Sequence, residues 1–309
     1  MGSNNVQHRH FGTVLLALLF GVTITSCAWN KSFLEPERIP ATPRTGRSIN
    51  PATGDTMLIH LSGATLQPGF THTNGDTVPM PFSMESVWFG DPKEPLYGLM
   101  MKPEIPSDLP LVTLLFLHGN GGNVFTEYPA MLPFLDRGFQ AFIFDYSGYG
   151  LSGGKATRTH VLRDAEAALA YVKSRPDVSG TPLVIYGQSL GGHTAALLAG
   201  EVKDTLTPVV IEGGFTTFRA IAKAVTHTGP LPYLLVKEGP RTKRSLKEFK
   251  GPLLIIHSPD DEVVPFAMGK ELFSWGNGPK QFHAIKGRHI EGPLLQPDPI
   301  ATWIRGMVK

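Results

Sequence analysis

The chain has 309 residues, 41% hydrophobic and 17% charged, which is enough apolar material for one large globular domain or two modest ones. A formal charge of +2 gives no basic footprint for a nucleic-acid partner, and a single cysteine excludes an intramolecular disulfide. There is no internal repeat and no zinc-type spacing, and the 34 glycines and 27 prolines imply many turns.

The first element is the apolar run FGTVLLALLFGVTI, residues 11–24, placed after His8, Arg9 and His10. It is short for a membrane-spanning helix and has the form of a signal-peptide core. It ends in Ile24-Thr25-Ser26-Cys27, which resembles the bacterial lipobox. That resemblance implies removal of residues 1–26, lipidation of Cys27 and attachment of the domain to the cell envelope through an N-terminal lipid anchor. Ala28 follows the cysteine rather than aspartate, so in a Gram-negative host the expectation is the outer membrane, facing the periplasm. The alternative is an ordinary signal peptide, or an uncleaved anchor, with a chance cysteine.

Residues 27–82 are rich in Pro, Gly, Thr and Ser and are read as a tether followed by an irregular segment. From residue 83 to 309 the pattern changes. Strands are expected at 84–89, 96–101, 111–117, 141–144, 183–186, 209–211, 253–257 and 281–285. Several are continuous apolar runs, as in strands buried on both faces. Helices are expected between them at 159–174, 193–202, 216–225, 266–275 and 300–308. Alternating strands and helices give an α/β domain with a mostly parallel sheet and helices on both faces. The segment 241–250, RTKRSLKEFK, is read as a solvated helix face rather than a site for anionic head groups.

Chemistry-bearing residues fall at the carboxyl ends of the expected strands, where ligands of such sheets bind. The stretch GQSLGG places Ser189 between glycines at a strand-to-helix seam. Glycine-flanked serines are common in ordinary turns, so the motif alone decides little. Later strands, however, end in HSPDDEVVP and GRH, which place an acid and then His289 after the serine. An acid just past one strand can reach an imidazole just past the next, and the imidazole can serve the hydroxyl.

Four blocks in order, HGNGGN (118–123), FDYSGYGLSGG (144–154), GQSLGG (187–192) and HSPDDEVVP with GRH, make the chain resemble a serine α/β-hydrolase. The lipase-like subgroup that includes protein depalmitoylases is the most similar. The resemblance implies a Ser189–Asp261–His289 triad and an oxyanion hole from the backbone N–H groups of Leu190 and Asn120, with Gly121 the alternative to Asn120. It implies no cofactor and no metal. Two departures stand out: Ser258 replaces a usual glycine, and Arg288 replaces the glycine before the base. Asp260 and Asp261 are adjacent, and only the motif register selects Asp261.

The chain between Gly213 and Gly251 is too short for a large lid, so a partly open site with a small flap around residues 228–239 is expected. The implied substrate is a small-molecule or lipid-like acyl ester or thioester. Two other functions stay open: a peptidase similar to proline iminopeptidases, and a non-catalytic envelope lipoprotein that binds without turnover.

Overall fold

A computed structural model describes residues 34–40, 45–49, 54–104, 108–202, 204–225, 236–237 and 241–308. The expected signal peptide, Cys27 and most of the expected flap lie outside the described residues.

An eight-stranded sheet forms the centre. Its strands are β4 (Phe82–Phe89), β5 (Leu96–Pro103), β6 (Val112–Leu117), β7 (Phe139–Phe144), β8 (Leu183–Gln188), β9 (Val209–Glu212), β10 (Leu253–His257) and β11 (Lys280–Ala284). They lie in the order β11-β10-β9-β8-β6-β7-β5-β4. From β7 to β11 all neighbours are parallel, while β4 and β5 close the other edge antiparallel. All six residues of both β6 and β7 are buried, and all are apolar but Thr113 and Gln140, which hydrogen-bond to each other at 2.7 Å. The chain runs from β6 outward to β7, then crosses back to β8 on the other side of β6. This reversal opens a crevice between the ends of β6 and β8.

Helices cover both faces, and the sheet divides the core into two apolar layers. The helix Arg158–Ser174 illustrates the local logic. The Thr157 side chain accepts from the His160 N–H and caps its start. Val161, Ala165, Ala168, Leu169 and Val172 are buried at helical spacing. The helix after Ser189 runs Leu190–Leu198, starting three residues before the expected position, because Gly191 and Gly192 belong to its first turn rather than to a loop. The basic segment 241–250 forms the helix Thr242–Glu248, with only Thr242 and Leu246 buried.

The irregular N-terminal segment is corrected by the structure. A separate antiparallel sheet, β1 (Thr45–Ile49), β2 (Thr56–Ser62) and β3 (Gln67–His72), occupies much of it. Met57, Ile59 and Phe70 from this sheet are buried in the main core. Gln67 fastens it to β4, donating to the Met84 carbonyl at 2.6 Å and accepting from the Ser86 N–H at 3.0 Å. Residues 34–40 form a strap rather than a free tether. Leu34 is buried, Ile39 N–H donates to the Gly150 carbonyl, and Gly150 N–H donates to the Glu37 carbonyl.

Candidate active site

Ser189 leaves β8 and enters the helix Leu190–Leu198 with no residue between. Its φ of +53° and ψ of −111° are strained for a residue with a side chain. Close packing imposes that conformation. A Cβ on Gly187 would fall 2.1 Å from the Gly191 carbonyl oxygen, and one on Gly191 would fall 1.8 Å from the Leu117 carbonyl oxygen. Only glycine fits at either flank, so the glycines mark the close approach of two strands and a helix.

Ser189 lines a cleft of about 580 Å³ at the carboxyl ends of the strands, together with His289, Leu190 and Asn120. The lining is of two kinds. Phe215, Phe218, Ile221, Val225, Val263 and Ile290 are apolar, whereas Glu35 and Glu127 supply carboxylates. Burial pushes the Glu127 carboxyl up to about 7, against a hydrogen bond from Thr126, and nearby Glu37 adds to the rise. A larger groove of about 920 Å³ lies at the opposite strand ends, near Pro182, Leu253 and Lys280, and contains none of the candidate site residues.

His289 sits at this cleft with its Nδ1 2.8 Å from Asp261 Oδ2. The Asp261 side chain is almost fully buried and its Oδ1 accepts from the N–H groups of Val263 and Val264 at 2.9 and 2.7 Å. Burial opposes its ionisation. Hydrogen bonds from His257 and His289, and the His289 charge, outweigh that and hold the carboxyl well below the usual carboxylate range. Asp260 is exposed, and its backbone N–H donates to Ser258 Oγ at 3.1 Å. The structure therefore brings Asp261 to the imidazole and leaves Asp260 outside.

The two departures from the family pattern join the acid and base turns. Ser258 donates its hydroxyl to the Gly287 carbonyl. Arg288 Nε lies 3.0 Å from Glu262 Oε1, and the other Glu262 oxygen accepts from the His289 N–H at 3.3 Å. A glycine at either position would lack these tethers.

The loop after β6 is held from beneath. His118 is fully buried, with Nδ1 2.9 Å from the Gly119 carbonyl, and burial pushes its imidazole down to about 4. It is therefore neutral at pH 7, and facing a carbonyl makes Nδ1 its donor. Tyr146 donates to the His118 carbonyl at 3.1 Å and Tyr149 to the Asn120 carbonyl at 3.0 Å. The DYSGYG block thus braces this loop. Its Asp145 accepts from the Val124 and Leu151 N–H groups at 2.8 and 3.0 Å, organising the turn itself. His193 packs flat on Phe215, 4.5 Å between ring centroids, and is a core residue. Among the described residues no group of three or more His, Cys, Asp or Glu side chains is placed to hold a metal ion.

Sequence reasoning passed over Glu35 and Glu127, which lie far from the motifs in sequence or inside an unremarkable helix. It also passed over Glu212, an acid closing the apolar strand VVIE. The signal for Glu212 was present, since a charge ending a fully buried strand demands partners.

The strand order, the strained serine turn and the acid–imidazole pair define a member of the α/β-hydrolase superfamily, and the chain belongs to it. A family model described as alpha/beta hydrolase fold matches residues 112–232. The uncharacterized protein YfhR of Escherichia coli O157:H7 is 31% identical over 218 residues, covering 69% of this chain and 76% of that protein. Lysophosphatidylserine lipase ABHD12 of Macaca fascicularis is 30% identical over 196 residues, covering 57% of this chain and 48% of that protein. Among solved structures, the esterase Pf2001 of Pyrococcus furiosus superposes with a TM-score of 0.58 at 18% identity, covering 73% of this chain and 89% of its own, a likeness of fold.

Proposed function

We propose that this chain is a serine hydrolase that cleaves carboxylic ester or thioester bonds through an acyl-enzyme. The observation that carries the reading is the 2.8 Å Asp261–His289 contact at the cleft that the strained Ser189 also lines. In this mechanism His289 takes the hydroxyl proton as Ser189 attacks the carbonyl carbon. Asp261 fixes the tautomer that leaves Nε2 free to accept that proton, and it stabilises the imidazolium that forms. His289 then gives the proton to the leaving group, and a water repeats the sequence on the acyl-enzyme.

The oxyanion donors in this reading are the N–H groups of Leu190 and Asn120. Leu190 is the first residue of its helix, so its N–H has no intrahelical acceptor. Asn120 N–H belongs to the same trans peptide as the Gly119 carbonyl, which His118 holds, so it points the opposite way from that bond. The apolar lining suits an acyl chain of modest length, and the lipase activity in the name of the ABHD12 relative favours lipid-like esters.

The carboxylates of Glu35 and Glu127 favour a second reading, cleavage beside a cationic amine as in aminopeptidases. A fluorophosphonate probe and panels of p-nitrophenyl esters and peptide amides test both. Labelling of wild type but not Ser189→Ala, with ester turnover, supports the first. Turnover of amides with a free amine and none of esters supports the second. Folded wild type that neither labels nor turns over substrate refutes both and favours a binding module.

For residues 1–27 we propose a lipoprotein signal ending at a lipidated Cys27, which would hold the enzyme on the cell envelope. Mass spectrometry of the mature N-terminus tests it: a lipid-sized increment lost in Cys27→Ala is expected, and an unmodified chain overturns it.

A further inference from the structure

Glu212 is a buried carboxylate at the end of β9, one strand from the elbow. Its Oε2 accepts from the Tyr186 hydroxyl at 2.6 Å and from Gln188 Nε2 at 2.7 Å. Its Oε1 accepts from the Gly292 N–H at 2.9 Å. Tyr186 and Gln188 lie on the strand that ends at Ser189, and Gly292 lies three residues past His289. Gln188 also donates to the Ile290 carbonyl at 3.2 Å. The Glu212 backbone carbonyl accepts the Ser189 N–H at 3.0 Å. One residue therefore ties the serine turn to the histidine loop.

Three donors converge on its two oxygens. An amide or hydroxyl brings its own hydrogen and fits this set poorly, whereas an ionised carboxylate accepts all three. A Cβ on Gly292 would fall 2.5 Å from Oε1, so the loop meets the carboxylate through bare backbone. Its hydrogen-bond partners are all neutral. The next residue, Gly213, lies against the imidazole: a Cβ there would be 3.2 Å from His289 Cε1. Burial raises the Glu212 carboxyl above its ordinary value, and the hydrogen bonds and the His289 charge oppose that rise. The anion's favourable ionic partner is the charge that His289 acquires during turnover.

We infer that Glu212 is a second carboxylate of the catalytic centre, a positioning residue that joins Ser189 to the His289 loop and stabilises the His289 cation alongside Asp261. Asp261 then holds the imidazole directly, while Glu212 acts from behind the loop that carries it, through buried surroundings in which a charge is screened less than in water. The other charged groups on this loop are Lys286, Arg288 and Glu291, whose Oε2 accepts the Arg288 N–H at 2.7 Å; Glu262 of the acid turn accepts from the His289 N–H and pairs with Arg288, and Glu35 and Glu127 line the cleft with His289. His257 faces the Asp261 side.

The inference rests on His289 acting as the base for Ser189. The test is the pH profile of kcat/KM for p-nitrophenyl acetate with the full chain, for wild type, Glu212→Gln and Tyr186→Phe. Removing the Glu212 charge is expected to move the acidic limb down by about one pH unit and to lower kcat about tenfold, with KM nearly unchanged. Tyr186→Phe removes a bond but keeps the charge, so the limb stays while stability falls. The double variant Gln188→Glu/Glu212→Gln exchanges acid and amide across their 2.7 Å bond and is expected to return the limb at least half-way. A folded Glu212→Gln with an unmoved limb overturns the inference. Should that variant not fold, Glu212→Asp withdraws the charge without removing it and should move the limb the same way by less; an unmoved limb there also overturns it. If His289→Ala keeps full activity, the base assignment itself fails, which is a separate result.

Discussion

The serine half and the histidine half of the site are built by different means. Ser189 is held by backbone against backbone: Gly187 against Gly191, Gly191 against Leu117, and its own N–H on Glu212. Nothing there can be exchanged without moving a strand. His289 is held by side chains: Asp261 on its ring, Glu262 on its N–H, and Ser258 and Arg288 fastening the neighbouring turns. Side-chain tethers can substitute for one another, while a steric fit admits one residue. The GQSLGG turn is therefore the part of the site least free to vary, and the turns at Ser258 and Arg288 the part most free.

Variants on the two halves should fail differently. Ser189→Ala removes the proposed nucleophile without touching the glycine contacts; ester turnover is expected to fall by about 10⁵ to 10⁶ with an unchanged melting temperature. Asp261→Asn should cost about 10⁴ in kcat by favouring the wrong imidazole tautomer, while exposed Asp260→Asn stays within about twofold. A large effect at Asp260 would break the assignment of the acid. Gly191→Ala acts through folding: with a Cβ 1.8 Å from a backbone oxygen, a loss of about 3 to 5 kcal/mol in denaturant unfolding is expected. Ser258→Ala loses one tether of the softer half, and about 1 kcal/mol and a few-fold in kcat should go with it. A Ser258→Ala as damaging as Gly191→Ala would erase the contrast.

The smallest effect concerns pH. Burial pushes the His193 imidazole down to about 4, from an ordinary value near 6.5. The unfolded chain then binds the extra proton first, so this residue's contribution is full above about 6.5 and is lost as pH falls toward 4. His193→Phe should make the melting temperature fall less steeply across that window. An unchanged slope would mean His193 is already charged in the fold.

The main sheet was legible because strands buried on both faces are mostly apolar, as VTLLFL and FQAFIF are; the start of the second was missed at Gln140, whose amide is satisfied by Thr113 of the neighbouring strand. The order of the proposed triad was legible because Ser189, Asp261 and His289 each follow closely on the end of a strand. The small N-terminal sheet was not. TGRSI and QPGFTH carry turn-forming residues, and the alternation of Met57, Ile59 and Leu61 is too short to stand out from them. At Glu212 the need for partners was legible, since it ends a buried strand, but their identity was not. The loop that supplies one of them, around Gly292, comes eighty residues later and folds over the carboxylate only in the finished sheet. Spacing along the chain cannot announce a contact that only the order of the strands creates.

The strap at residues 34–40 also sets a length. Leu34 is buried in the domain, and Glu35 beside it lines the cleft. If Cys27 carries the proposed lipid, seven residue steps separate the anchor from that fixed point, a reach of about 25 Å at full extension. Such an enzyme would be leashed with its cleft close to the bilayer surface, working on what that surface presents rather than on what diffuses past. Inserting a flexible segment between residues 28 and 33 should leave hydrolysis of soluble esters unchanged and alter only the hydrolysis of esters embedded in the same membrane.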